Sequence, residues 1–253
     1  TARYLLGNLH DFDPARDAVA IEELPLLDRW MLQRTAVVLD SISEAFDNYE
    51  FFRFFQLLQN YCVSDLSNFY LDIAKDRLYV SAPNDRRRRS CQTVMALIIE
   101  RLAGAIAPVL CHMAEDIWQN LPYPVAEPSV FRRGWPTVPD NWRNESLNAP
   151  MQQLRDLRSA VNRVLEDCRG KRELGASLEA AVRIDVRDPE LQKAVNWLQE
   201  HGHSEVDGLH DWLLVSQLQL GGEPWAEVLA REDSPLAVIE VARSRGQKCE
   251  RCW

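Results

Sequence analysis

The chain has 253 residues, 46% of them hydrophobic and 26% charged, which is enough apolar material for one large domain or two ordinary ones and excludes a disordered tail. Six cysteines in this length exclude a small disulfide-stapled secreted module. The 29 basic and 38 acidic side chains give a net charge of −9, the opposite of a generic nucleic-acid binder. The longest apolar run, Val94 to Leu110, carries Glu100-Arg101 and Pro108 and is no membrane span.

Thr1-Ala-Arg-Tyr-Leu-Leu reads as the inside of a helix that Gly7 stops, no Met or signal peptide precedes it, and a Cys-x-x-Cys pair runs into the last residue, Trp253. Both ends are expected to be cuts, and the chain to be a piece of a longer cytosolic protein. After Pro25, Leu26, Leu27, Trp30, Met31, Val37, Val38, Ile42 and Phe46 recur at helical spacing. A second helix is expected from Glu50 to about Asp76, about 40 Å long at 1.5 Å per residue. Its Phe51-Phe52-Arg53-Phe54-Phe55 run predicts burial between several neighbours. A third helix starts near Arg86-Arg-Arg-Arg89 and runs to Trp118 with a bend near Gly104 and Pro108. Residues 120–142, with five prolines, read as a connecting segment. A fourth helix spans about Ser146 to Leu174. Beyond Gly175 the texture changes: strands over Ala181–Val186, Trp212–Leu220 and Leu236–Val241, and a short helix over Pro189–Glu200.

The strongest local signal is Lys248-Cys249-Glu250-Arg251-Cys252-Trp253. Two cysteines so spaced let both sulfurs face one tetrahedral ion, so Cys249 and Cys252 form half of a four-thiolate zinc knuckle; a redox pair wants a helix start that the sequence does not supply. Trp253 beside Arg251 is suited to stacking on an unpaired base while the cation meets phosphate. Cys62, Cys111 and Cys168 fall on apolar helix positions and read as core thiols; Cys91, beside the arginine run, is left open. His201-Gly-His203 reads as a loop and His112 with Glu115 as a helix surface pair. No catalytic constellation is present. Three stretches are locally basic: 75–101 at +4, 155–173 at +2 and 243–251 at +3, which leaves −18 on the remainder. Four adjacent arginines are either solvated or neutralised by a partner.

Thr1-Ala-Arg-Tyr-Leu-Leu-Gly-Asn-Leu-His-Asp-Phe-Asp-Pro14, Leu27-Asp-Arg-Trp30, Tyr49-Glu50-Phe51, Asp65-Leu-Ser-Asn-Phe-Tyr-Leu-Asp-Ile-Ala-Lys-Asp-Arg-Leu-Tyr79, Ala107-Pro108 with Ala114-Glu-Asp-Ile-Trp118, and Lys248–Trp253 together resemble the C-terminal region of bacterial isoleucyl-tRNA synthetases, of class Ia. The resemblance implies a mainly α fold: the end of a helix and linker (1–24), a helical anticodon-binding bundle (25–174), a small α+β junction domain (175–245) and the first half of a zinc knuckle (246–253). It implies binding of the anticodon stem-loop of isoleucine tRNA, with Arg251 and Trp253 at the anticodon loop and Arg3, Lys75 and Arg77 as further contacts. Zinc on Cys249 and Cys252 would be a half-set, and ATP and Mg2+ would belong to a catalytic core outside this sequence. The implied parent is a cytoplasmic, monomeric ligase with neither DNA nor membrane as partner. A valyl-type relative, or a helical adaptor that binds protein, are the rival readings.

Overall fold

A computed structural model describes residues 1–202 and 207–247, and the chain falls into two compact units that part between Glu145 and Ser146.

The first unit is helical. Helix α1 (Ala2–Asn8) and the short α2 (Pro14–Asp17) lead to α3 (Leu26–Asp47), which buries Leu27, Trp30, Met31, Val38 and Ile42 along one stripe. The chain reverses at Tyr49, in the left-handed region at φ 57°, and enters a second rod: α4 (Phe51–Asn60), a π-helical stretch (Tyr61–Tyr70) and α5 (Leu71–Tyr79). Helical spacing predicts one regular helix here. The structure winds its middle wider, so the buried face in that middle runs Tyr61, Asp65, Leu66, Phe69 and Tyr70.

The rod is docked on α3 by polar and aromatic contacts. Trp30 and Phe69 meet edge to face at 5.4 Å, Thr35 and Tyr61 share a hydroxyl hydrogen bond of 2.6 Å, and Arg34 donates to Asp65 at 2.8 Å. Deepest of all, the fully buried Asp28 accepts from the Tyr70 hydroxyl at 2.6 Å and from Arg77 at 3.1 Å.

Helix α6 (Arg86–Ile106) starts at Asp85, whose carboxylate caps the Arg87 N–H at 2.7 Å, and is buried nearly all round. It ends at Ile106, and α7 (Cys111–Gln119) follows after a turn, so the expected bend is a break. Residues 120–145 have little regular structure but are pinned down. Trp118 Nε1 donates to the Glu127 carbonyl at 2.9 Å, the Arg101 guanidinium lies 4.4 Å above the buried Trp142 ring, and Gln33 accepts from the Asn144 N–H at 2.7 Å.

The second unit opens with α8 (Asn148–Gly170). Its sequence position groups it with the bundle; in the structure its stripe of Leu154, Leu157, Val161 and Leu165 is buried where the helix packs with the elements that follow. These are β1 (Ala180–Val186), α9 (Pro189–His201), α10 (Leu209–Leu213), β2 (Gln217–Leu220), β3 (Ala230–Asp233) and β4 (Ala237–Arg243). Asp188 caps α9 by accepting from the Leu191 N–H at 2.9 Å, ahead of a first-turn proline. The sheet order is β2-β1-β4-β3, with β1 and β2 parallel and the other pairs antiparallel. Val182 opposite Val241 and Ile184 opposite Ile239 give an apolar face, whereas Arg183 lies opposite Glu240 on the other.

Two expectations for this unit need correction. Of the strand expected at Trp212–Leu220, Trp212 and Leu213 belong to α10, which Leu214 ends in the left-handed region at φ 55°, and only Gln217–Leu220 forms a strand. Strand β3 has no counterpart in the sequence reading, because Ala-Arg-Glu-Asp carries no apolar alternation.

Candidate nucleic-acid interface

Of the residues singled out for RNA contact, Arg3 is exposed on α1 and makes no ion pair among the described residues. Helix α1 is held beside α5, where Asn8 Nδ2 donates to the Tyr79 hydroxyl at 3.5 Å. Lys75 is exposed on α5 and paired with Asp72 at 2.7 Å. Arg77 is a correction: it is 2% exposed, its guanidinium is committed to Asp28, and it holds the bundle together out of reach of a phosphate. Arg251, Trp253, Cys249 and Cys252 lie outside the described residues. Among the described residues no group of three or more His, Cys, Asp or Glu is placed to hold a metal ion.

The basic stretches are largely neutralised from within. Arg88 is buried, donates with both terminal nitrogens to Asp11, and reaches the carbonyls of Leu78 and Pro83. Arg89 donates to the Asp11 carbonyl, Gln92 and Asn84, and Arg86 meets Glu23 at 3.3 Å. Partial burial pushes the Asp11 carboxyl up, but hydrogen bonds from Arg88 and Gln92 and the charges of Arg88 and Arg89 outweigh it and bring it down to about 2. On α8 and just beyond it, Arg158 is buried and donates to the Trp212 carbonyl, Arg163 pairs with Glu232 at 3.4 Å, Arg169 with Glu166, and Lys171 with Asp167 at 2.6 Å. Arg172, Arg243 and Arg245 join Arg3 as exposed arginines whose side chains make no ion pair among the described residues. Arg172 is held in the left-handed region at φ 60°.

The aromatic run does not sit between neighbours as expected. Phe54 is buried, but Phe51, Phe52 and Phe55 are exposed and Tyr49 is 80% exposed. Phe46 gathers Phe51, Phe54 and Trp135 around itself at 4.9–5.8 Å. Glu44 and Glu50 on the adjoining segment both pair with Arg53, which leaves that cation neutralised.

The cysteines and histidines are mostly quiet. Cys91 and Cys168 are buried, and burial pushes the Cys91 thiol up to about 12. Cys111 is exposed rather than a core thiol, because it opens α7 on the outer side. Glu115 serves the turn at 129–130, accepting from Ser129 and the Val130 N–H, instead of facing His112. His201 closes α9, stacked on Trp197 at 5.8 Å, and His203 lies outside the described residues.

A helical bundle followed by a small mixed α+β unit fits the class of anticodon-binding domains. The particular family follows from comparison: residues 28–184 match the family described as the anticodon-binding domain of tRNA ligase, and the chain belongs to that family. Over all 253 residues it is 78% identical to an isoleucine–tRNA ligase of Synechococcus sp. (strain CC9311), 76% to one of Prochlorococcus marinus (strain MIT 9313) and 78% to one of Parasynechococcus marenigrum (strain WH8102). The chain spans 26% of the length of each of these relatives.

Proposed function

We propose that this chain recognises the anticodon stem-loop of isoleucine tRNA as part of a longer isoleucine–tRNA ligase. The observation that carries the reading is the match to isoleucine–tRNA ligases along the whole chain, at 78% identity. It favours the isoleucine enzyme over a valyl-type relative or a protein-binding adaptor. Phosphate contacts fall to exposed arginines such as Arg3, Arg172, Arg243 and Arg245, with Lys75 as a weaker, already paired candidate. Base contacts fall to Arg251 and Trp253, a guanidinium and an indole that together suit unpaired nucleotides. Cys249 and Cys252 supply two thiolates toward a zinc site that needs two more ligands. Amino-acid activation with ATP and Mg2+ belongs to a catalytic core elsewhere in the ligase, which acts as a cytoplasmic monomer, and this chain on its own is inactive.

Nuclease protection of isoleucine tRNA tests the reading. The chain is expected to shield the anticodon loop and leave the acceptor stem and T loop open to cleavage. Protection confined to the acceptor stem, or none at all, would contradict it.

A further inference from the structure

The second unit has a cleft at the open edge of its sheet, of which the roles assigned above use only Arg243 and Arg245. Strand β2 is the edge, with Gln217 and Gln219 exposed. Gly221 and Gly222, both left-handed at φ 67° and 81°, turn the chain so that residues 223–227 stand beside that edge. The turn is anchored from below. Arg183 donates to the carbonyls of Gly221 and Gly222 and to Glu240, and Glu240 in turn accepts from the Trp225 N–H at 3.0 Å and pairs with Arg231 at 3.3 Å. The Trp225 indole donates to Gln219 at 3.1 Å, which fixes the half-exposed ring in place. Between these walls lies an open space of about 740 Å³, whose lining includes Arg243, Arg245, Glu223 and Glu227.

We propose that this cleft holds one unpaired nucleotide of the bound RNA, its base against the Trp225 indole and its phosphate on Arg243 and Arg245. The proposal rests on the tRNA reading above and adds a site to it. An aromatic face accepts any base, and a ring already fixed by Gln219 and the Glu240 network loses little freedom on stacking. The two arginines make no ion pair among the described residues, so a phosphate there displaces no carboxylate. Gln217 uses its side-chain oxygen on the Arg245 N–H at 3.4 Å and keeps its amide nitrogen for a base edge.

The test is a titration of isoleucine tRNA at several salt concentrations with four proteins: the unmodified chain, Trp225→Ala, Trp225→Phe and the double variant Arg243→Ala/Arg245→Ala. Trp225→Ala is expected to weaken binding by about 5- to 150-fold with an unchanged salt slope. Trp225→Phe, which keeps a stacking face, should stay within about 3-fold of the unmodified chain. The double variant should reduce the slope of log K against log salt by about 0.7, the share of the one single-stranded phosphate that the two arginines hold. It alters only surface side chains, so a fold change at Trp225 does not blunt this arm. Unmodified affinity in Trp225→Ala, or an unmodified slope in the double variant, overturns the cleft while the tRNA reading stands. No binding by the unmodified chain overturns that reading and the cleft with it.

Discussion

With Asp28 fully buried, its two oxygens are divided between the Tyr70 hydroxyl and the Arg77 guanidinium, so the charge on α3 is answered from two turns of the facing rod. This explains why Leu27-Asp-Arg-Trp30 and the segment Asp65–Tyr79 go together in the sequence: Asp28, Trp30 and Arg34 on one side meet Tyr70, Arg77, Phe69 and Asp65 on the other. Arg77→Ala leaves a buried carboxylate without its cation and is expected to cost about 3–5 kcal/mol, read as a lower urea midpoint. An unchanged midpoint would contradict the structural role given to Arg77. The burial was legible in part. Arg77 follows Ile73 by four residues and Phe69 by eight, which puts it on the apolar stripe, whereas Lys75 falls on the opposite side. Basic character alone, without that spacing, ranks the two residues together.

At the level of elements, the start of α6 shows how a charge run becomes structure. Asp11 lies between α1 and α2 and ties both to α6 through Arg88 and Gln92. Its carboxyl is held near 2, below its ordinary value of 3.8, so the ionised form is favoured in the folded chain. That stabilisation is present above about pH 4 and is lost as pH falls through 2. Asp11→Asn is therefore expected to destabilise the chain by roughly 1–3 kcal/mol at neutral pH, with the gap narrowing between pH 4 and pH 2 in parallel urea titrations. A gap that stays constant down to pH 2 would show that Asp11 carries no perturbed carboxylate. Spacing reveals α3, α8, α9 and β1 because each has one apolar face. It does not reveal the π-helical stretch, since a wider winding is a response to packing against α3 and leaves no compositional mark. Nor does it reveal that Phe51, Phe52 and Phe55 are exposed, because an aromatic run looks the same whether or not something covers it.

Across the whole molecule, a net charge of −9 coexists with RNA binding only if the few exposed cations are well placed. Sequence charge counts overstate the basic stretches, since Arg88, Arg89 and Arg158 are engaged inside the protein and the exposed Arg163 is paired with Glu232. Distances across the fold, which a linear count cannot supply, separate these structural arginines from Arg3, Arg172, Arg243 and Arg245. If Arg3 and Arg172 each meet one phosphate and Arg243 and Arg245 share one, log K against log salt should slope at about −2. The most direct measurement is a binding titration of the chain with isoleucine tRNA and with valine tRNA at about 50 and 200 mM salt. Tighter binding of isoleucine tRNA, weakening as salt rises, is the predicted result. No binding of either tRNA at low salt would contradict the account and leave a protein-binding helical adaptor in its place.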